Sequence, residues 1–310
     1  MKWNNRKNIM TDIDTKRRIR KLASEKNAVI LAHNYTLPEI QDIADMCGDS
    51  LELSIRAADT DADIIVFCGV HFMAETAAIL SPQKTVLIPR QDATCPMAEM
   101  ASPDDLEKVL ESRPLPVVSY VNTTAAVKAL STICCTSANV VRVVNSMPED
   151  ELQMVPDRNL SAYAAGQTEK KLHAWPGFCP VHEGLTPEMV KKAKEAHPNA
   201  VFMAHPECRP EVLDMADKVA STSGMIKYAR SAENDQFIVG TETGLLYPLS
   251  RACPEKRFFP AADTLVCGDM KKTRLRDLLS CLETLSGEVR VPEDVRLKAL
   301  SAVKRMVDLG

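Results

Sequence analysis

Three cysteines in loop settings carry the most legible chemistry in this chain: Cys95 in Thr94-Cys95-Pro96-Met97, Cys179 in Gly177-Phe178-Cys179-Pro180, and Cys267 in Leu265-Val266-Cys267-Gly268. Each follows an apolar run that ends in polar residues, and the spacing from His33 to Cys95, from Tyr120 to Cys179 and from His205 to Cys267 is nearly constant. A small hydroxyl residue stands at one fixed offset after the same three strand ends, at Ser50, Ser137 and Thr222, and a strand-to-helix turn stands at a second fixed offset, at Gly69, Pro156 and Thr241. Three loop thiolates with no fourth equivalent suit an iron–sulfur cluster with one open iron better than a structural zinc site, which four protein ligands normally close. No C-x-x-C pair exists to supply a zinc knuckle. An open iron is a Lewis acid able to bind a substrate hydroxyl, carboxylate or nitrogen.

The polar strand ends form i, i+2 pairs, His33 with Tyr35, Tyr120 with Asn122, and His205 with Glu207, so each pair points to one side of its strand. Ligands of parallel sheets bind beyond such carboxyl ends, where helix amino termini offer free N–H groups to anions. Ser50, Ser137 and the Ser221-Thr222 pair precede predicted helices. Taken singly each reads as a helix N-cap; their recurrence at a fixed offset points to a shared ligand site. His182, just after Cys179, joins the set. Glu207 is the only carboxylate in the paired strand ends and is expected to act as general acid or base with a raised pKa, beside a cluster and anionic substrates.

The other cysteines fit a bland role. Cys47, Cys68, Cys134, Cys135 and Cys281 lie in or beside apolar elements and read as small buried hydrophobes. Cys253 lacks a counterpart in the other repeats and Cys208 adjoins Glu207; both are set aside, as are His71, His173 and His197.

The elements that position these residues follow from the same offsets. Tyr120 follows His33, and His205 follows Tyr120, at almost equal intervals that are too long for a solenoid and suit a small α/β unit copied three times. The strands read as continuous apolar runs, which implies parallel sheets covered by helices on both faces. The expected fold is therefore α/β, three pseudo-threefold-related αβα domains, each with a parallel sheet of about four strands, and a shared cavity at their junction. The division predicted is 1–105 with an amino-terminal surface helix over 12–26, then 106–191, 192–272, and 273–310 as carboxy-terminal helices packing on the body. Helices are also predicted over 38–46 and 210–216, with a turn at Cys47-Gly48-Asp49-Ser50, a helix over 243–251, and Pro292 at a first helical position.

The 310 residues carry 38 basic and 42 acidic side chains, a balance that offers nothing to nucleic acid or an anionic membrane and favours a small charged metabolite. Met1–Lys7 is charged, not an apolar leader, and no apolar run is long enough to span a bilayer, so a cytoplasmic protein with reduced thiols is expected.

With these residues assembled, a resemblance emerges. His33-Asn34-Tyr35, Gln41-Asp42-Ile43-Ala44-Asp45, Gly48-Asp49-Ser50-Leu51, Gly69-Val70-His71-Phe72-Met73-Ala74-Glu75, Tyr120-Val121-Asn122-Thr123, Thr136-Ser137-Ala138-Asn139, His205-Pro206-Glu207-Cys208 and Ser221-Thr222-Ser223-Gly224-Met225 resemble the quinolinate synthase A family over roughly residues 20–305. The resemblance implies a triangular assembly of three αβα domains with a [4Fe–4S] cluster at their junction. It implies that iminoaspartate condenses with dihydroxyacetone phosphate to give quinolinate for NAD biosynthesis, with loss of phosphate and two waters. Carried over by motif, Cys95, Cys179 and Cys267 are the implied cluster ligands. His33, Ser50, Tyr120, Asn122, Ser137, His205, Glu207, Ser221 and Thr222 are the implied substrate contacts, with Glu207, Tyr120, His205, His33, Tyr35 and His182 moving protons. A partner supplying iminoaspartate, L-aspartate oxidase or aspartate dehydrogenase, is implied as well. The alternatives are an iron–sulfur hydro-lyase acting on a hydroxy acid, and a non-enzymatic cluster sensor.

Overall fold

A computed structural model describes residues 11–310; the charged Met1–Lys7 segment lies outside the described residues. The chain builds three four-stranded sheets, all parallel. The first holds β1 (Ala28–His33), β2 (Met46–Gly48), β3 (Ile64–Cys68) and β4 (Thr85–Leu87) in the order β2-β1-β3-β4. The second repeats that order with β5 (Val117–Tyr120), β6 (Ile133–Cys135), β7 (Glu151–Val155) and β8 (Lys171–Ala174), and the third with β9 (Val201–Ala204), β10 (Lys218–Val219), β11 (Gln236–Gly240) and β12 (Arg257–Pro260). One topology occurring three times is the fold class the sequence periods predict. Central strands such as β3 are buried along their whole length, as strands covered on both faces must be.

Helices α1 (Asp12–Glu25), α2 (Pro38–Gln41), α3 (Ser50–Asp59) and α4 (His71–Leu80) flank the first sheet, and α5 (Pro103–Ser112) leads to the second. Around the second lie α6 (Ala125–Ala129), α7 (Val140–Ser146) and α8 (Arg158–Ala165), then α9 (Pro180–Glu183) and α10 (Pro187–Ala196) on the way to the third. There α11 (Pro210–Leu213), α12 (Thr222–Ser231) and α13 (Leu246–Ala252) follow, before the terminal α14 (Leu275–Thr284) and α15 (Glu293–Asp308). The domain limits expected at 105/106 and 191/192 fall inside α5 and α10, the helices carrying the chain from sheet to sheet.

A helix over 38–46 does not form. α2 ends at Gln41 and the supposed turn at Cys47-Gly48 is strand β2. The cause is local: Ile30 N–H at the edge of β1 donates to Asp45 Oδ2 at 2.7 Å, which turns the chain back alongside β1. The same device recurs at the same sequence separation in the other repeats, from Val117 N to Thr132 Oγ1 (3.0 Å) and from Phe202 N to Asp217 Oδ2 (2.8 Å). α11 is cut short at Leu213 by this third contact in the way α2 is by the first. The helix expected over 243–251 opens as a 3₁₀ turn, 243–245, before α13. Pro292 lies one position before its helix, as the N-cap of α15.

One core joins residues of all three sheets, among them Phe67, Val118, Met203 and Phe237. α15 closes it by packing against α4, α6 and β6. α1 is more than a surface element, since Ile19, Leu22 and Ala23 are buried with Leu278 and Leu282 of α14 under the first sheet. At about 25 cal/mol per Å² of apolar area removed from water, each of these buried Leu or Ile side chains contributes about 1.5–3 kcal/mol.

Candidate active site

The carboxyl ends of β1, β5 and β9 converge. His33, Tyr35, Ser50, Tyr120, Asn122, Ser137, His205, Glu207 and Thr222 line one small cavity. Cys95, Cys179, Cys267 and His182 line an adjoining, largely apolar cavity, and Tyr35, Asn122 and Glu207 are part of both walls. Every residue named as a substrate contact except Ser221 therefore meets in one place, and the three named cysteines meet beside them. Ser221 has another task. Its hydroxyl accepts from Gly224 N (3.2 Å) as the N-cap of α12 and donates to Asp49 Oδ2 (3.2 Å), which ties the start of α12 to that of α3, where Asp49 borders the cavity.

The other hydroxyls are free of the N-cap role that each suggested singly. Asp49 caps α3, so Ser50 is its first residue, and Ser221 caps α12, so Thr222 is its first. Ser137 precedes α7, whose N-cap is Asn139. Thr222 Oγ1 accepts from Asn34 Nδ2 at 2.9 Å, a buried bond between the first and third repeats.

The strand-end histidines have a shared geometry. Tyr35 N–H donates to His33 Nδ1 (3.2 Å), and Glu207 N–H to His205 Nδ1 (3.4 Å). With Nδ1 accepting, each neutral ring carries its proton on Nε2. Burial lowers both pKa values to about 3, with His182 further lowering that of His205 and Glu207 opposing in both cases. Tyr35 and Tyr120 are held as phenols, well above their ordinary range, by burial and by the charge of Glu207.

The raised pKa expected for Glu207 is not what the structure supports. Burial does push it up, but its surroundings, with the adjacent His182 foremost, more than reverse that and hold the carboxyl below its ordinary range. His182 Nδ1 stands 2.6 Å from Glu207 Oε2, its ring stacked on His205 at 4.5 Å. The Nδ1 contact is short but out of line for an N–H···O bond. Sequence could not expose this, because His182 arrives on α9, a separate element that follows the second sheet. Asp157 takes the opposite course: burial and then Glu207 raise its pKa to about 8, against three backbone N–H bonds that favour its charge.

Thr241, noted in sequence only as a turn, is a second connection. Its hydroxyl meets Tyr35 Oη at 2.5 Å and His182 Nε2 at 2.8 Å, so it links a phenol from the first repeat to the imidazole beside Glu207. Its signal was its offset from His205, matched by Gly69 after His33 and Pro156 after Tyr120.

The cysteine cavity suits a metal group on two counts. Backbone N–H groups shortly after each cysteine face its sulfur: Met97 and Ala98 for Cys95, His182 for Cys179, Asp269 and Met270 for Cys267. They favour the thiolate, whereas burial raises all three thiols, that of Cys95 to about 12; cationic iron would offset the burial cost. Asn122 Oδ1 and Glu207 Oε1 are buried without a hydrogen-bond partner in the wall common to both cavities. Donor atoms of Cys179, His182 and Glu207 also lie within 4.8 Å of one another, a mixed set that excludes Cys95 and Cys267. Gly177 lets the Cys179 loop approach β7, since a Cβ there would sit 2.5 Å from Pro156 O.

The set-aside residues stay outside. Cys208 is buried with its thiol directed to Gly240 O, Cys253 is buried, His197 stacks on Phe259 and His173 contacts Glu151. Among the described residues no helix is long and apolar enough to cross a membrane.

Comparison with known proteins agrees with this arrangement. The family profile described as quinolinate synthetase A protein matches residues 17–308. The chain is similar to quinolinate synthase of Geobacter sp. (strain M21), 53% identical over 299 residues that cover 96% of this chain and 98% of that one. It is also similar to quinolinate synthase 1 of Methanosarcina acetivorans, 54% identical over 299 residues (96% and 98%), and to quinolinate synthase of Methanoregula boonei, 55% identical over 292 residues (94% and 97%). A site gathered from three copies of one sheet, a profile match over nearly the whole chain and relatives above half identity agree: the chain belongs to the quinolinate synthetase A family.

Proposed function

We propose that this protein is a quinolinate synthase, joining iminoaspartate to dihydroxyacetone phosphate with release of phosphate and two waters, and that Cys95, Cys179 and Cys267 hold a [4Fe–4S] cluster. The observation that carries this reading is the common wall: Tyr35, Asn122 and Glu207 border both the three-cysteine cavity and the cavity lined by hydroxyls and imidazoles. The bound cluster would supply an open iron, a Lewis acid toward a substrate hydroxyl or nitrogen.

The chain's own residues account for the rest. Both substrates are anions, and Ser50 and Thr222 are the first residues of α3 and α12, where the helix dipole favours carboxylate or phosphate. Ser137 adds a third hydroxyl. His33 and His205, neutral with Nε2–H, donate to substrate oxygens, and Tyr35 and Tyr120 are phenolic donors beside them. Glu207, ionised and with one oxygen unpartnered, accepts a proton from carbon or nitrogen as the ring forms. His182 and Thr241 stand behind it and connect its position to that of Tyr35. Burial of His33, Tyr35, Tyr120, His205 and Glu207 excludes bulk water from a sequence of dehydrations. We further propose a cytoplasmic setting and a separate enzyme supplying iminoaspartate.

The test is product formation. Anaerobically prepared protein given freshly generated iminoaspartate and dihydroxyacetone phosphate should yield quinolinate and phosphate in equal amounts. Dehydration of a hydroxy acid with no quinolinate would return the hydro-lyase reading.

A further inference from the structure

Each cysteine loop is held by a buried or half-buried carboxylate that the proposed reaction does not use. Asp157 divides its two oxygens: Oδ1 accepts from Asn159 N and Leu160 N, both at 2.8 Å, and caps α8, while Oδ2 accepts from Cys179 N at 3.2 Å. Glu242 does the same in the third repeat. Its Oε2 accepts from Gly244 N at 2.7 Å and caps the 243–245 turn, while Oε1 accepts from Cys267 N at 3.2 Å. Asp157 stands as far after Tyr120 as Glu242 does after His205, so a pseudo-symmetric device occurs twice. The matching position in the first repeat is Val70, which has no side-chain acceptor. There Asp269, from the loop of Cys267, reaches across, and its Oδ1 accepts from Thr94 N at 3.1 Å, one residue before Cys95.

These carboxylates are placed to orient the loops, not to coordinate. Asp157 and Glu242 are buried and both are spent on backbone N–H groups. Lys271 contacts Glu242 Oε1 at 2.9 Å and also donates to Tyr35 O, so the Cys267 anchor is fastened to the strand end that carries Tyr35. Lys272 pairs with Asp269 at 2.7 Å. We propose that Asp157, Glu242 and Asp269 are positioning residues, one for each cysteine loop, that fix the three sulfurs in the arrangement a cluster requires. This rests on the cluster reading given above. Outer partners that orient metal ligands typically change metal retention by about 10–100-fold when removed.

The side chains allow a test that separates orientation from folding. Asp157→Asn keeps one oxygen for the α8 cap and turns an NH₂ toward Cys179 N–H; Glu242→Gln does likewise at Cys267. Asp269→Asn can keep its accepting Oδ1, whereas Asp269→Ala cannot. Cluster-loaded proteins would be challenged anaerobically with bathophenanthroline, with iron release followed over time and the reduced cluster recorded by electron paramagnetic resonance. We expect release about 10–100-fold faster in Asp157→Asn, Glu242→Gln and Asp269→Ala, with altered resonance line shapes, and wild-type behaviour in Asp269→Asn. Asp269 is only half-buried, so its pair of variants decides the question even if a variant at a buried position does not fold. Release at the wild-type rate from Asp269→Ala, or equally fast release from Asp269→Asn and Asp269→Ala, would overturn the inference. A wild-type chain that takes up no iron and sulfide would remove the cluster reading first.

Discussion

His182 and Thr241 share a hydrogen bond of 2.8 Å between Nε2 and Oγ1, deep under the site, and the same threonine hydroxyl meets Tyr35 Oη at 2.5 Å. With Glu207 2.6 Å from the other nitrogen of the imidazole, one line of four residues connects the first and third repeats through the wall of the cysteine cavity.

Thr241→Val keeps the shape of that link and removes its hydroxyl. Two buried partners are left short of one bond, which should cost about 1–3 kcal/mol of stability. Urea unfolding measures it, and Thr241→Ser should recover most of the loss; equal stability in the valine variant would show the hydroxyl to be idle.

Glu207→Gln removes the ionised carboxylate while keeping its size. The variant should fold, hold its cluster and bind both substrates, yet form quinolinate at least about a hundredfold more slowly, within the range for losing general acid–base catalysis. Near-normal turnover under anaerobic assay would restrict Glu207 to positioning and pass proton transfer to His205 or Tyr120.

Ser137→Ala and Thr222→Ala each delete a cavity-lining hydroxyl proposed to hold a carboxylate. Product affinity, measured by calorimetry on cluster-loaded protein, should fall by about 1.5–3 kcal/mol, roughly ten- to a hundredfold. Unchanged affinity in both would leave these residues as parts of the scaffold alone.

Acid should remove the contribution of two buried histidines to the stability of the cluster-free chain. His33 and His205 have folded pKa values of about 3 against 6.5 unfolded, so the folded chain binds fewer protons and their contribution is complete above pH 6.5. It is lost as pH falls from 6.5 toward 3, by about 1.4 kcal/mol per histidine at pH 5.5. Glu207 acts in the same direction, but only below its unfolded pKa of 4.5. Asp157, with a folded pKa of about 8 against 3.8 unfolded, changes stability in the opposite sense over the same range, so the informative comparison is between variants: the stability of His205→Gln relative to the wild type should fall by about 1.4 kcal/mol between pH 5.5 and 7.5, and an unchanged relative stability would contradict the burial of a neutral imidazole.

Much of this site was legible because three copies of one sheet repeat their offsets: the cysteines, the strand-end pairs and the evenly placed hydroxyls meet where pseudo-symmetry puts them. Legibility failed where a single position matters. Asp49 and Ser50 are adjacent, as are Ser221 and Thr222, and either neighbour can cap a helix; only the backbone decides that Asp49 and Ser221 do so. It failed again where charge depends on a distant element, as His182 does for Glu207. The length of α2 was misread because Asp45, a plausible helical residue, is used by Ile30 N–H instead.

Cys95, Cys179 and Cys267 are proposed to hold a four-iron cluster together at the active site. Iron and sulfide analysis with absorption and paramagnetic resonance spectra, on anaerobically purified wild-type protein and single Cys→Ala variants, tests it most directly. About four irons and four sulfides per chain are expected, lost in each of Cys95→Ala, Cys179→Ala and Cys267→Ala and kept in Cys208→Ala and Cys253→Ala. One air-stable zinc per chain without sulfide, retained when Cys95 or Cys267 is replaced, would contradict it and point instead to the Cys179, His182 and Glu207 trio.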